Sequence, residues 1–493
     1  MIAAMKSYPA MEDSGVEWLG EVPEHWEVRR LGTSVHGCIN GTWGGEPDGK
    51  DDLPCVRVAD FDRLRLRIDL REPTIRAVPI AERKGRILNG GDLLLEKSGG
   101  GDLQLVGAVM LYDHEVPAVC SNFIGRMPVS PGHNPQYLSY LHSHLYTIRL
   151  NARSIKQTTG IQNLDSTSYL GERVAFAPLS EQVAIVRFLD HADRRIRRYI
   201  RAKERLIELL EEQKQAIIHQ AVTGRIDVRT GQPYPAYKDS GVEWLGEVPE
   251  HWEVRRLNRC VRAAGGMTPS MQNPSYWMAG SIPWVTPKDM KVDAIGDSEM
   301  KVTEAALDGT SLRLVDSGTV LLVVRGMILA KCVPVAWTTS SVTINQDMKA
   351  LLPVPGVDGE FLARALRSGQ AALLSFVEVA GHGTRRLPTE QWRSLRVAIP
   401  SPNEQERIVA FVAKSTQLAD SAIEAATRLI ELLREYRTCL VADVVTGKLD
   451  VRDAAASLPD VDPLGPWVTH GEPEANTAVD AEAPDPALQS SHS

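Results

Sequence analysis

Residues 8–31, YPAMEDSGVEWLGEVPEHWEVRRL, recur almost unchanged as residues 234–257, YPAYKDSGVEWLGEVPEHWEVRRL. Only the fourth and fifth positions differ, so 22 of the 24 positions are identical. A repeat of this length must be explained before any single motif, because each copy should form the same supersecondary unit.

A second pair of matched blocks follows each copy. The stretch EQVAIVRFL (181–189) is matched by EQERIVAFV (404–412), and VTGRIDVR (222–229) is matched by VTGKLDVR (445–452). The spacing between copies changes from 226 residues in the first blocks to 223 in these. The sequence between the blocks therefore keeps nearly the same length in both halves.

Two variable segments of little mutual similarity, about residues 32–177 and 258–400, lie between the constant blocks. Short apolar runs bounded by glycines predict strands, as at Val106–Leu111. The list of predicted strands is completed by Asp92–Leu95 and Thr319–Val324, and helical periodicity predicts helices at Tyr137–Leu150 and Glu360–Phe376. Both variable segments are thus predicted to be mixed α and β.

The blocks that begin with EQ open long stretches with apolar residues at alternating steps of four and three. The first predicted seam is Ile185, Leu189, Ala192, Ile196, Tyr199, Lys203, Leu206, Leu210, Gln213, Ile217 and Gln220. The second is Ile408, Val412, Ser415, Ala419, Ala422, Ala426, Leu429, Leu433, Tyr436, Leu440 and Asp443. Gly224 and Gly447 are the predicted helix ends. Sustained heptads favour a coiled coil, with two unrelated amphipathic core helices as the alternative.

The predicted fold class is α+β, with two globular mixed α/β domains joined by two long helices that form an antiparallel coiled coil in an internal pseudo-twofold repeat. The predicted boundaries are 1–178 and 227–401 for the domains, 179–226 and 402–449 for the helices, and 450–493 for a disordered acidic tail. Because the first VTG block runs directly into the second constant block, symmetry predicts that the second VTG block ends beside the first constant block, near the N-terminus.

The net charge of −8 does not exclude a polyanionic partner. The stretch from Asp453 to Ser493 holds eight acids and no Lys or Arg, so residues 1–452 are neutral overall. Local basic patches decide phosphate binding. Since there is no apolar run of membrane-spanning length and the six cysteines are widely scattered, we expect a cytoplasmic protein with reduced thiols and no membrane partner.

Polar and basic stretches precede each long helix, and a second polar set follows the central predicted strands. Lys and Arg suit phosphates, whereas Gln, Asn, Thr and Arg can pair with base edges, so the pattern indicates DNA contact. A solvated loop is the alternative for each residue. The candidate DNA-binding residues are Lys97, Ser98, Arg153, Lys156, Gln157, Thr158, Thr159, Gln162, Asn163, Arg325, His382, Thr384, Arg385 and Arg386.

Five arginines of the first long helix admit three interpretations: contact with a DNA backbone, the flank of a coiled-coil seam, or a protein partner. They are Arg194, Arg195, Arg197, Arg198 and Arg201.

Catalytic motifs are scarce. There is no phosphate-binding loop and no Asn-Pro-Pro-aromatic box of the kind expected for an adenine methyltransferase. Pro47-Asp48 with Glu82-Arg83-Lys84 formally resembles a metal-dependent nuclease pattern, but only in the first half. The sequence predicts no catalytic residues, metal site or cofactor; the alternative is a DNA nuclease or methyltransferase with an unrecognised active site.

Three features together resemble the specificity subunits of Type I restriction–modification systems. They are EHWEVRRL, the glycine- and tryptophan-containing run at 265–290, and PLSEQ or SPNEQ before a long helix. The resemblance covers about residues 8–452.

The resemblance implies two target-recognition domains, each reading one half of a split double-stranded DNA site, and helices that set their spacing. It also implies two methyltransferase subunits and motor–nuclease subunits as partners, with S-adenosylmethionine, ATP and Mg²⁺ bound only there. The repeated blocks would then be equivalent docking surfaces. Trp18, Trp26, Trp244 and Trp252 would lie on or beneath those surfaces, or simply pack in the core.

Overall fold

The structure, a computed structural model, describes residues 6–100, 104–158, 161–379 and 383–459. The chain forms two compact units, and one of them is built from two separate parts of the sequence. Unit 1 contains the described residues up to Arg195 together with those from Tyr436 onward, and unit 2 is the stretch between them.

The first half of the chain contains short strands, short helices and one long helix. Its strands are β1 (Met11–Asp13), β2 (Glu21–Pro23), β3 (Glu27–Arg30), β4 (Ile39–Asn40), β5 (Asp52–Val56), β6 (Phe61–Asp62), β7 (Arg67–Ile68), β8 (Ile75–Ala77), β9 (Asp92–Glu96), β10 (Ser98–Gly99), β11 (Val109–Tyr112), β12 (Val119–Cys120), β13 (Ile124–Met127), β14 (Ile155–Thr158), β15 (Ile161–Leu164) and β16 (Arg173–Phe176). Its helices are α1 (Ile80–Arg83), α2 (Pro135–Thr147), α3 (Ser166–Leu170) and α4 (Leu179–Val222).

The second half repeats this plan. Its strands are β17 (Tyr237–Asp239), β18 (Glu247–Pro249), β19 (Glu253–Arg256), β20 (Val261–Gly265), β21 (Ile282–Val285), β22 (Ala294–Ile295), β23 (Lys301–Val302), β24 (Val320–Val323), β25 (Val335–Thr338), β26 (Thr343–Ile344), β27 (Met348–Pro353), β28 (Glu378–Val379), β29 (Arg385–Arg386) and β30 (Arg396–Ile399). Its helices are α5 (Glu304–Asp308), α6 (Gly359–Ser368), α7 (Gln370–Ser375), α8 (Thr389–Ser394), α9 (Pro402–Val445) and α10 (Arg452–Ala456).

The two variable segments share one sheet topology despite their dissimilar sequences. The strand order β4-β13-β9-β11-β7 in unit 1 corresponds to β20-β27-β24-β25-β22 in unit 2. The central strands pair antiparallel in both sheets, whereas β11 with β7 and β25 with β22 pair parallel. The internal repeat therefore extends through the whole of each half.

The predicted strands and helices of the variable segments are largely confirmed, with local differences. The run from Val106 becomes a strand only from Val109, and the helix predicted over Glu360–Phe376 is divided at Gly369. A Cβ at Gly369 would lie 3.2 Å from the ring of Trp244, so this position is held close to the constant block. Close packing explains the break in an otherwise helical pattern.

A buried carboxylate fixes the first constant block to α4. Glu181 accepts hydrogen bonds from the hydroxyl of Tyr8 and from Trp26 Nε1 at 3.1 Å, and its other oxygen lies 2.8 Å from His25 Nε2. Glu181 is almost fully buried, as are the side chains of Tyr8 and Trp26. The repeated motif is thus held by side-chain contacts to a residue of the second constant block.

Unit 2 repeats this arrangement around Glu404. Tyr234 donates to Glu404 at 2.7 Å and Trp252 Nε1 at 3.1 Å, while His251 Nε2 lies 3.0 Å from the carboxylate. Trp252 is fully buried. The buried tryptophan of each copy therefore belongs to the core, and the other, Trp18 or Trp244, is partly buried against it.

Both long helices end where the sequence predicts. Gly224 and Gly447 follow α4 and α9 with φ of 74° and 75°, the left-handed conformation that glycine tolerates best. A Cβ at Gly224 would lie 2.4 Å from Pro249 Cδ, and one at Gly447 would lie 2.3 Å from Pro23 Cδ. Each glycine lets the end of a helix meet a constant block without a side chain between them.

The end of the second VTG block lies beside the N-terminal segment, as symmetry predicts. Lys6 and Asp450 form an antiparallel bridge, and Val444, Val451 and Ala455 are buried in the core of unit 1. The segment predicted as an acidic tail is therefore folded over residues 450–459, because its first apolar residues complete this core. The rest of that segment lies outside the described residues.

Within unit 2 the two long helices pair antiparallel. Lys214 Nζ lies 2.5 Å from Asp420 Oδ1, and Arg434 Nη2 lies 3.4 Å from Glu204 Oε1. As the residue number in α4 increases, the number of the residue that it contacts in α9 decreases. Only an antiparallel arrangement of the two helices gives this order. The predicted antiparallel pairing is confirmed. Each helix has 44 residues, so it rises about 66 Å.

The predicted seam of α4 is wrong over its middle part. Tyr199 and Leu206 are 55% and 38% exposed, whereas Ile196 and Ile200 are buried. In α9, Leu429 is exposed and Ile430 is buried. A straight α-helix drifts relative to a strict 3.5-residue repeat, so the buried stripe moves by one position along the helix.

Within the described residues, none of the helices is long and apolar enough to cross a bilayer.

Unit 1 should lose stability in mild acid because of His142. Burial lowers the pKa of this fully buried residue to about 3, and its Nδ1 lies 2.8 Å from the hydroxyl of Tyr169. Below pH 6.5 the unfolded chain binds a proton that the folded chain does not, so unfolding at pH 5 should be favoured by about 2 kcal/mol from this residue. His142→Gln should flatten the dependence of the free energy of unfolding on pH between 7 and 5. The exposed control His36→Gln should not, and an unchanged slope in His142→Gln would contradict the assignment.

Candidate nucleic-acid interface

The candidate residues of unit 1 meet on a three-stranded sheet in the order β10-β15-β14. Ser98 and Lys156 both lie opposite Asn163, so the three side chains share one face of the sheet. The Ser98 hydroxyl lies 2.6 Å from Asn163 Oδ1, and Lys156 Nζ lies 3.0 Å from Asp165 Oδ2. We call Ser98, Asn163 and Lys156 the outer row of unit 1.

The opposite face of the same strands points inward. Gln162 is 3% exposed, and its Oε1 accepts the backbone N–H of Val106 at 3.2 Å. In this conformation Gln162 is therefore a structural residue and does not share the face of the outer row. Gln157, opposite Gln162 on the outermost strand, is exposed.

The other candidates of unit 1 lie next to this sheet. Lys97 precedes β10 and donates from Nζ to Asn40 Oδ1, and Arg153 is exposed on a short helical turn before β14. Thr158 ends β14. Thr159 lies outside the described residues.

In unit 2 the candidates meet on the ribbon formed by β28 and β29. Arg386 pairs with Glu378 across the ribbon and with Arg325 through an isolated bridge. Arg386 Nη2 lies 3.1 Å from Glu378 Oε2. We call Arg325, Arg386 and Glu378 the outer row of unit 2. Arg385 lies in the neighbouring register position, opposite Val379.

Thr384 precedes β29, and His382 lies outside the described residues.

The two outer rows occupy the same place in the fold. In unit 1 the N–H groups of Lys97 and Ser98 both donate to the carbonyl of Phe123, at 2.7 and 3.2 Å. In unit 2 those of Val324 and Arg325 both donate to the carbonyl of Asp347, at 2.8 and 3.2 Å. A further main-chain hydrogen bond is equivalent in the two units. Leu164 N–H donates to the carbonyl of Lys97 at 2.8 Å, and Leu387 N–H donates to the carbonyl of Val324 at 2.9 Å. Main-chain hydrogen bonds thus present different side chains at one equivalent position.

Exposed apolar side chains accompany each outer row, and sequence reasoning missed them. Phe123 and Ile161 are 47% and 53% exposed in unit 1, and Met327 and Val379 are 67% and 66% exposed in unit 2. Large exposed apolar groups beside polar ones are typical of binding surfaces. Ile161 is an isolated apolar residue within a polar stretch, whereas Phe123 and Met327 begin ordinary apolar runs and gave no such signal.

The formal nuclease pattern of the first half stabilises a loop. Asp48 accepts the backbone N–H groups of Asp51 at 3.0 Å and Lys50 at 2.8 Å, which lowers the pKa of its carboxyl. Arg83 donates to Asp51 at 2.9 Å, and Glu82 is exposed. In the described part of the chain, no three His, Cys, Asp or Glu side chains are grouped to hold a metal ion.

The comparison with protein families finds a match in the second half of the chain. Residues 249–433 match the family described as Type I restriction modification DNA specificity domain. This segment contains both the variable part of unit 2 and most of α9.

Specificity subunits are similar to the chain over longer stretches, and the resemblance indicated by its repeated blocks is confirmed. The Type I restriction enzyme EcoR124I/EcoR124II specificity subunit of Escherichia coli is 32% identical over 199 residues, which are 40% of this chain and 46% of that protein. The match thus spans less than half of this relative. A putative Type I restriction enzyme MjaX specificity subunit of Methanocaldococcus jannaschii is 22% identical over 88% of this chain and 96% of that protein.

A solved structure supports the fold over most of the chain. It was described under the heading of complex assembly and conformational transition of the Type I restriction–modification system. The match has a TM-score of 0.63 at 16% identity and covers 87% of this chain and 99% of that one. At this identity the likeness concerns the fold alone.

Proposed function

We propose that the chain is the DNA specificity subunit of a Type I restriction–modification complex and has no catalytic activity of its own. Each unit reads one half of a bipartite double-stranded DNA site. The observation that carries this proposal is the pair of outer rows, which occupy equivalent positions on one repeated framework and carry different side chains. A framework repeated with different contact residues suits a site whose two halves differ in sequence.

The constant blocks support equivalent docking of two copies of one methyltransferase subunit. Glu17, Glu21 and Glu24 of the first block are exposed, as are the identical residues of the second block, 226 positions later. Core packing does not demand identity at exposed positions, whereas two copies of one partner do. The variable segments of the same chain have diverged, so recent duplication alone does not explain the identity.

In this proposal the long helices set the number of base pairs between the half-sites. S-adenosylmethionine is bound by the methyltransferases, and ATP and Mg²⁺ serve them and the motor–nuclease subunits. The proposed domain boundaries remain those of the repeat. Arg198 of α4 is exposed and contacts DNA or a partner protein in this proposal.

Deletion of the gene for this chain tests the proposal. Methylated adenines mapped across the source genome should include a split motif, methylated on both strands, that disappears in the deletion strain and returns with the wild-type gene. The purified chain alone should neither cleave nor methylate DNA in the presence of Mg²⁺ and S-adenosylmethionine. Activity of the chain alone, or no motif that depends on it, would refute the proposal.

Substitution in the outer row of unit 1 should affect one half-site only. Asn163→Ala removes an amide that can pair with a base edge, and we expect discrimination at one position of one half-site to fall by about 1–3 kcal/mol. Lys156→Ala and Gln157→Ala should weaken recognition of the same half. The measurement is the fraction of sites methylated as a function of sequence. Equal loss of preference in both half-sites, or no change in either, would contradict independent reading by the two units.

A further inference from the structure

The outer row of unit 2 contains an arginine that donates a hydrogen bond to a neighbouring carboxylate. Arg386 and Glu378 face each other on the two strands of a ribbon, and their side chains meet at 3.1 Å. The side chains are 59% and 49% exposed, so the pair lies on the surface. A guanidinium has five N–H donors in a planar fork, and this contact uses one of them, on Nη2.

The position of Glu378 argues against phosphate as the ligand of Arg386. A phosphate oxygen bound to Arg386 would approach the exposed carboxylate of Glu378, and two negative charges at that separation repel. A neutral acceptor edge meets no such repulsion. Guanine offers two acceptors, O6 and N7, in the major groove, which is the edge that arginine binds with two parallel N–H donors.

The shape of the element suits the same ligand. A two-stranded ribbon fits the major groove of B-form DNA, and β28 with β29 is such a ribbon. Arg325 lies beside Arg386 in the row and supplies further positive charge near the DNA. A carboxylate at Glu378 can also accept a hydrogen bond from the amino group of cytosine.

We propose that unit 2 selects a guanine in its half-site through Arg386, which Glu378 orients. This inference rests on the proposed function, since it names the base read by one of the two units. Arg386 is the specificity-determining residue, and Glu378 is a positioning residue that acts through it. The equivalent position of unit 1 carries Asn163, an amide that suits adenine, so the half-sites differ at this position.

The test is a map of methylated adenines in strains whose only copy of the chain carries a substitution. The wild type should methylate sites with guanine at one defined position of the unit 2 half-site. In Arg386→Gln, methylation of sites with the other three bases should rise relative to guanine sites, and the preference should fall roughly ten- to one-hundred-fold. Arg386→Lys retains the charge but not the planar fork and should also lose most of the preference.

Two further variants separate base reading from charge. Glu378→Gln should lower the preference for guanine several-fold while total methylation stays level or rises, because a negative charge near DNA is removed. Arg393→Gln is the matched control: it removes the same type of side chain from an exposed position on α8, outside the ribbon. It should leave the guanine preference unchanged.

The outcomes distinguish this inference from the function on which it rests. If the deletion strain loses no split motif, the proposed function fails. If the motif depends on the chain but Arg386→Gln keeps every base preference, the inference alone is overturned. Loss of methylation at all sites regardless of base, with the chain at wild-type abundance in both Arg386 variants, would likewise overturn it, because that is the result for a phosphate contact.

Discussion

A chain that ends at Glu435 should lose the folded structure of unit 1 while unit 2 remains folded. The truncation removes Leu440, Val441, Val444, Val445, Val451 and Ala455, all of which are buried in the core of unit 1. Burial of a Val or Leu side chain contributes about 1.5–3 kcal/mol, so the five largest of these together contribute roughly 8 kcal/mol or more. That is comparable with the whole stability of an ordinary domain. Amide hydrogen exchange should show loss of protection in β9, β11 and β13.

A second truncation serves as the control. A chain that ends at Pro459 keeps all of these residues and removes only the part of the predicted tail that the structure does not describe. We expect its hydrogen-exchange protection in unit 1 to equal that of the full chain. If the chain ending at Glu435 also retained protection in unit 1, the assignment of the C-terminal helix end to that core would be wrong.

Replacement of Glu181 by alanine should destabilise unit 1 by about 3–5 kcal/mol. The substitution leaves the hydroxyl of Tyr8 and the indole N–H of Trp26 buried without their acceptor. Burial raises the pKa of Tyr8, so its hydroxyl stays protonated and needs an acceptor throughout the ordinary pH range. The free energy of unfolding, measured by denaturant titration with hydrogen exchange to identify the unit, checks the expected loss.

Two comparisons sharpen this second experiment. Glu404→Ala should have a smaller effect on unit 2, because the side chain of Glu404 is 15% exposed and that of Glu181 is 4% exposed. Water can then reach some of the groups that lose their acceptor. Glu27→Ala, which removes an exposed carboxylate of the same constant block, should change stability by less than about 0.5 kcal/mol. An effect of Glu181→Ala no larger than that of Glu27→Ala would show that the buried hydrogen bonds contribute little.

The parts of the fold that could be predicted are those whose signal is repeated or periodic. The two long helices, their ends at Gly224 and Gly447 and the return of the chain to its N-terminal segment all followed from the matched blocks. The common sheet topology of the variable segments could not be predicted, because main-chain hydrogen bonds define it. For example, Phe123 and Asp347 accept these hydrogen bonds through their backbone carbonyl groups. Every residue has such a group, so the side-chain sequence does not reveal which ones are used.

Prediction of the candidate site reached the right stretches but not the right faces. Gln162 and Asn163 are adjacent and equally polar, yet one is buried and the other is exposed. Successive side chains of a strand point to opposite faces, so the register decides which of the two residues is buried. A shift of register by one residue would exchange the buried and the exposed residue. Glu378 was missed because a lone acid in an apolar stretch gives no signal of its own, and its role depends on Arg386, its partner across the ribbon.

The carbonyl groups that hold each outer row have a consequence for how such a chain diversifies. Because backbone amides at Lys97 and Ser98, or at Val324 and Arg325, fix the strand ends, the row side chains at Ser98, Asn163 and Arg386 do not support the core. Under the proposed function, new combinations there would alter DNA preference without a penalty in folding. Under the same proposal, single substitutions in an outer row could change the DNA sequence that is recognised while the scaffold persists.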